Sequence, residues 1–311
     1  MQVRTTLVAA AISLFLVLSG ASSAQASLPG ANGRIVYSKG CCADYAIETV
    51  NADGTGTARL VDSRQFAYYA QDPRWSPDGT RVAFSGGGFR GSDPSVSGIF
   101  VMNADGSDPV NIVPGSRVFP VRDPAWSPDG SRLAFVRSGH VFTVNAATGR
   151  GRVMVTDGPE TDSAPDWSPN GRRIAFLRTA PSGQRDLYLI NPDGTGLWPL
   201  TWTRRQEQEP RWTPDGQSIL YSVQRQSDDI FITTVAGRAA NRLLADPTID
   251  ELGGVVSPDG TKIMWERVST AGPDASDLVV SNLDGSDLVV LTSACNGDCG
   301  MAGYDWQPIT P

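Results

Sequence analysis

Trp75-Ser76-Pro77-Asp78-Gly79 is followed at once by the alternating run Arg81-Val82-Ala83-Phe84-Ser85, and this pairing decides the fold because it recurs. The phrase returns as Trp126-Ser127-Pro128-Asp129-Gly130, Trp167-Ser168-Pro169-Asn170-Gly171, Trp212-Thr213-Pro214-Asp215-Gly216 and Val256-Ser257-Pro258-Asp259-Gly260. The intervals of about 41–51 residues match the span of four short strands and their turns. Pro-Asp-Gly predicts a tight turn, and the run after it a half-buried strand. A further apolar run follows each time, as in Ile99-Phe100-Val101-Met102 or Leu187-Tyr188-Leu189-Ile190, often closed by a second turn such as Asn103-Ala104-Asp105-Gly106. A weaker fourth strand fits Val110-Asn111-Ile112-Val113 and Leu288-Val289-Val290-Leu291. Four strands per repeat make a propeller blade, which buries its faces only against its neighbours.

The ends of the chain complete the ring. Gly33-Arg34-Ile35-Val36-Tyr37-Ser38 has the second-strand pattern and Ala46-Ile47-Glu48-Thr49-Val50 the third, with no Trp-Ser-Pro phrase before them. The missing inner strand stands at the other end, as Tyr304-Asp305-Trp306-Gln307-Pro308. The expectation is an all-β, six-bladed propeller of four-stranded antiparallel blades, closed by pairing the C-terminal strand with three N-terminal ones. Closure removes open sheet edges.

Residues 1–26 read differently. One charge at Arg4, an apolar run from Leu7 to Leu18 and the small-x-small sequence Ala24-Gln25-Ala26 predict a cleaved signal peptide and a mature chain from Ser27. The run is short for a membrane anchor, which needs about 20 residues. Residues 27–311 then form a single propeller, secreted or periplasmic, from a bacterium. Within the 311 residues, 33 Gly and 22 Pro supply the turns, and 40% hydrophobic residues supply the core. A formal charge of −7 offers no basic stripe for nucleic acid.

An exported chain can keep disulfides. Cys41 and Cys42 fall between the second and third strands of the first blade, and Cys295 and Cys299 in the connection to its inner strand. Adjacent cysteines bridge badly, so two bonds between the pairs are favoured. A local Cys295–Cys299 loop and a zinc site are the alternatives.

Trp-Ser-Pro-Asp-Gly-x-x-x-Ala-Phe, with Ile-Phe-Val-Met-Asn-Ala-Asp-Gly after it, resembles the repeat of TolB-type propellers, which are periplasmic binding proteins of the bacterial envelope. The resemblance covers nearly all of the mature chain. TolB carries an N-terminal α/β domain, and the short stretch Ser27–Gly33 predicts none here. Similar repeats precede the hydrolase domain of prolyl-oligopeptidase-like enzymes, which is also not expected. The resemblance implies a non-catalytic scaffold that binds an envelope or extracellular protein; the chain is expected to be a monomer.

The one histidine, His140, has no Gly-x-Ser-x-Gly or carboxylate motif beside it and is predicted to be a loop residue between two strands. Asp53, Asp105, Asp193 and Asp284 recur before Gly and are read as turn formers rather than metal ligands. Trp75, Trp126, Trp167, Trp212 and Trp306 are read as packing between blades. The segments that enter the inner strands are acidic, and they are expected to ring one mouth of the channel. Asp72 and Asp123 lie three residues before the Trp, with Glu209 at the matching place; Glu160, Asp162, Glu207, Asp250, Glu251 and Asp298 are near. Such carboxylates attract a basic segment of a partner, or calcium, or they are solvated loop charges. Phe66, Tyr68, Tyr69 and Phe119 would add a contact rim, and the Gly-rich insert Ser85–Ser97 a flap. The alternative function is binding or turnover of a small ligand such as an oligosaccharide in the channel, with or without calcium.

Overall fold

The computed structural model describes residues 31–41, 44–62, 69–87, 97–116, 120–224, 228–236, 240–244, 246–269, 276–293 and 299–309. The predicted signal peptide, Cys42, Cys295, Asp298, Phe66, Tyr68, Phe119 and most of the Ser85–Ser97 insert lie outside them.

These residues form six antiparallel sheets of four strands. Blade one pairs in the order Cys299–Ile309, Ala31–Cys41, Asp44–Val50, Ala58–Val61, so the C-terminal strand is innermost and closes the ring as the repeat phase requires. The inner strands of blades two to six are Ala70–Trp75, Val121–Trp126, Thr161–Trp167, Glu207–Trp212 and Ile249–Val256. Each inner strand lies against those of both neighbouring blades around a central channel.

The repeated phrase folds into one turn each time. In blade two the Asp78 carboxylate accepts hydrogen bonds from Ser76 Oγ at 2.5 Å and the Thr80 N–H at 3.0 Å, and Ser76 Oγ accepts the Arg81 N–H at 2.9 Å. Ser127 with Asp129, Ser168 with Asn170, Thr213 with Asp215 and Ser257 with Asp259 repeat the arrangement. The second set of turns needs Gly for space as well as for φ. At Gly149 (φ 65°) a Cβ would collide with the carbonyl of Ile112 in the preceding blade.

The core lies between blades. Trp75 packs with Val36, Ile47 and Val61 of blade one and with Val82, Phe84 and Met102 of its own. All five tryptophans of the series are buried; truncating one to Ala would remove roughly 3–5 kcal/mol.

Three expectations are corrected in position. His140 opens the strand His140–Asn145 and pairs with Arg137, because the connection before it is a tight turn at Ser138-Gly139. Ser85–Gly87 and Ser97 belong to paired strands, which leaves a shorter insert than the sequence pattern implied. Cys41 and Cys299 are not in connections but end and begin paired strands, directly opposite each other in the closure register.

Candidate functional site

The inner strand of every blade is interrupted three residues before its Trp or Val. The register slips between Gln71 and Arg74, Arg122 and Ala125, Ser163 and Asp166, Gln208 and Arg211, Leu252 and Val255, and, in blade one, Met301 and Tyr304. The residue responsible is left-handed in all six blades: Asp72 (φ 53°), Asp123 (56°), Ala164 (49°), Glu209 (48°), Gly253 (64°) and Gly303 (87°). A bulge of this kind turns the side chain away from the sheet face and re-aims it. Asp72, Asp123, Ala164, Glu209 and Gly303 accordingly share one channel cavity of 160 Å³.

Asp72, Asp123 and Glu209 were singled out in the sequence, and they lie inside the inner strands rather than in the connections to them. Hydrogen bonds pin them. Ser85 Oγ donates to Asp72 at 3.2 Å and accepts the Asp123 N–H at 3.2 Å, while Asp123 Oδ2 accepts the Ala164 N–H at 3.0 Å. Each bond from one blade to the next holds a channel carboxylate in place.

A second ring was not singled out. The residue immediately before each Trp is Arg74, Asp166, Arg211 or Asp305 in four blades, and Ala125 or Val255 in the others. Asp305 accepts the Trp75 N–H at 2.9 Å and Asp166 the Trp212 N–H at 2.8 Å, each across a blade boundary. Arg211 donates to the Tyr304 carbonyl at 2.9 Å and stands 3.9 Å from Asp305. The Nε and Nη1 of Arg74 are buried and make no hydrogen bond. The signal was available, since a charge beside a buried Trp on an innermost strand has only the channel to face.

Burial raises these carboxyl groups first of all. Asp72 is pushed up to about 7 by desolvation and then by the Asp123 charge; Glu209 reaches about 7 by desolvation and the Glu266 charge. Asp166 is raised to about 7 and Asp305 to about 6, again by desolvation. The Arg74 charge opposes the rise in all four. At neutral pH Asp72, Asp166 and Glu209 are therefore poised between their charged and neutral forms, with the Arg74 and Arg211 guanidinium groups at the same cavity.

The other sequence candidates do not join this cavity. Asp162 is buried and paired with Arg178, with Oδ1 to Nε at 2.8 Å and Oδ2 to Nη2 at 3.0 Å; His140 Nδ1 is 4.0 Å away. Glu207 is buried and accepts the Thr203 hydroxyl at 2.7 Å. Glu251 accepts the Asp246 N–H at 3.1 Å, and Asp250 the Asp228 N–H at 2.9 Å. Burial raises Glu207 and Glu251 to about 7. Asp162, Glu207 and Glu251 occupy one repeat position, five residues before the Trp or Val, where blades two and three carry Ala70 and Val121. Glu160 lies just before the inner strand of blade four, close enough to Arg178 for its charge to help raise that guanidinium's pKa. Among the described residues no three His, Cys, Asp or Glu side chains form a group that would hold a metal ion, so the calcium expectation gains no cluster.

The family model described as the TolB beta propeller domain matches residues 90–301. The Tol-Pal system protein TolB of Bordetella pertussis (strain Tohama I) is 40% identical over 129 residues, which are 40% of this chain and 29% of that protein. The match thus spans less than a third of the relative's length. Among solved structures, TolB from Acinetobacter baumannii superposes with a TM-score of 0.73 at 18% identity, over 89% of this chain and 67% of that one. An oligogalacturonate lyase in complex with manganese superposes with a TM-score of 0.56 at 13% identity, over 78% of this chain and 69% of that one. At such identities the structural likeness speaks to the fold, which binding proteins and enzymes share.

Proposed function

The chain belongs to the TolB β-propeller domain family, and from that premise we propose that it is an exported, non-catalytic binding protein whose channel receives a basic segment of a cell-envelope protein. The observation that carries this reading is the convergence of Asp72, Asp123 and Glu209 on one cavity of 160 Å³. Small-molecule sites typically occupy about 300–1,000 Å³. The channel cavity suits a single Lys or Arg side chain better than an oligosaccharide. Residues 1–26 act in this reading as the export leader, and the relative named as a Tol-Pal system protein supports a partner in the envelope.

The chemistry of binding follows from the poised carboxyl groups. A cation entering the cavity favours their ionised forms, so Asp72 and Glu209, both raised to about 7 before it enters, release protons as it binds. The test is capture of envelope partners by chemical cross-linking with the native protein and with Asp123→Lys, alongside calorimetry of a Lys-rich peptide in buffers of different ionisation enthalpy. One partner lost in the variant, with proton release to the buffer, supports the reading. Partners that ignore the substitution overturn the channel as the binding surface.

A further inference from the structure

Five of the six blade junctions carry a basic residue on one blade and a Trp on the next. The residue just before the apolar run of the second strand is basic in blades one, two, three, four and six, as Arg34, Arg81, Arg132, Arg173 and Lys262. Each is followed round the ring by the Trp of the next inner strand: Trp75, Trp126, Trp167, Trp212 and Trp306. Among the described residues the two groups stack between blades two and three, with the Arg81 guanidinium 4.7 Å from the Trp126 ring centre; Arg34 and Arg132 donate instead to the Gly56 and Gly151 carbonyls, and Lys262 to Asn282 Oδ1. Between blades five and six both partners are absent. Ser218 stands where the Arg would be, and Val256 where the Trp would be.

The space left behind is open. A cavity of 410 Å³ lies at this junction, walled by Ile232, Leu243, Val256 and Leu283 and rimmed by Asp215 and Asp259. The matching wall is closed between blades two and three, where Val101, Trp126 and Ala146 are buried together. The turns part as well. Gly130 packs on Pro77, Gly171 on Pro128 and Gly216 on Pro169, whereas Pro214 and Gly260 both face the cavity.

The charge balance is also incomplete. In blade two, hydrogen bonds from Ser76 and Thr80 and the charge of Arg81 outweigh burial and hold the Asp78 carboxyl below its usual range. Asp215 is the same residue of the turn in blade five, and position 218 offers it no cation. Asp259 adds a second carboxylate at the rim. A slot shaped by a missing indole and rimmed by two carboxylates selects a ring and a positive charge together.

We propose that the junction of blades five and six is a binding site for a small aromatic cation, its ring between Ile232, Val256 and Leu283 and its ammonium or guanidinium at Asp215 and Asp259. The site is separate from the channel and does not depend on what the channel binds.

The probe is tryptamine, titrated by calorimetry and by thermal shift, with indole-3-acetate and n-butylamine as controls lacking the cation and the ring. Tryptamine is expected to bind saturably, about tenfold tighter than either control. Val256→Trp with Ser218→Arg restores the pair found elsewhere; it should abolish tryptamine binding and raise Tm. Asp215→Asn with Asp259→Asn keeps the turn, since Asn170 serves there in blade four, and should erase the preference for tryptamine over indole-3-acetate. Binding no tighter than the controls, or undiminished in the refilled variant, would overturn the proposal.

Discussion

The Asp305 carboxylate accepts the backbone N–H of Trp75 at 2.9 Å, which ties the last strand of the chain to the second blade. Closure is therefore more than the pairing of one strand with its own sheet. Asp305→Ala would leave a buried N–H without an acceptor, a loss of about 1–3 kcal/mol. Urea denaturation should show a lower midpoint with an unchanged slope. Asp305→Asn keeps an acceptor oxygen and should lose less than half as much.

The raised carboxyl groups predict an acidic stability optimum. Asp72, Asp166, Glu207, Glu209 and Glu251 titrate near 7 in the folded protein and Asp305 near 6, chiefly through burial. In the unfolded chain they titrate at about 4. Between these values the folded state binds more protons than the unfolded one, so stability falls as pH rises from about 4 through 7. The turn aspartates act in the opposite sense. Hydrogen bonds from Ser257 and Thr261 outweigh burial and hold Asp259 at about 2; Asp105 and Asp284 are lowered by Ser107 and Ser286. Their contribution is present above about 4 and is lost below it. Thermal melts from pH 3 to 8.5 should peak near pH 4, where the two sets meet, and Asp166→Asn should flatten the descent above it. A Tm that climbs steadily from 5 to 8 would refute this assignment.

The blade count, strand order and ring closure were legible because each rests on local signals repeated at every blade: Pro-Asp-Gly turns, alternating runs and the displaced Trp306 phrase. Asp72, Asp123 and Glu209 were legible as a set because they share one offset from the Trp. Their bulge was not, since left-handed backbone at Ala164 or Glu209 has no marker comparable to Gly253 and Gly303 in the same role. Asp162, Glu207 and Glu251 look like loop charges in one dimension. Only the added strand length, which brings Asp162 opposite Arg178, shows that they are interior. The Arg74, Asp166, Arg211 and Asp305 ring is legible only position by position, as a charge beside each Trp, because its alternation of sign averages to nothing in a count of charge.

Backbone strain and charge at Asp123 are separable. Its φ of 56° is tolerated by Asn far better than by a β-branched residue. Asp123→Asn should melt within about 0.5–1 kcal/mol of the native protein, because it keeps an oxygen for the Ala164 N–H. Asp123→Val forces the same left-handed position on a residue that resists it and should lose about 1–3 kcal/mol. Loss of basic-peptide binding in Asp123→Asn without loss of stability would locate the effect in the carboxylate charge.

The Asp162–Arg178 pair should behave as a structural ion pair and not as part of a binding mouth. Its two hydrogen bonds, at 2.8 and 3.0 Å, join neighbouring strands of blade four, and the Asp162 side chain is fully buried. Arg178 also lies 5.5 Å from the Phe176 ring centre and 5.7 Å from that of Tyr188, so its guanidinium is held by packing as well as by charge. Removing only the acid strands a buried cation. Asp162→Ala is expected to destabilise by about 3–5 kcal/mol. Replacing both, as Asp162→Leu with Arg178→Met, removes the stranded charge and should be less damaging than the single change, which is the signature of a pair whose members mainly compensate each other's desolvation. Chemical denaturation of the four species in a double-mutant cycle reads the coupling directly. An Asp162→Ala protein as stable as the native one would instead return Asp162 to the list of solvated, available carboxylates.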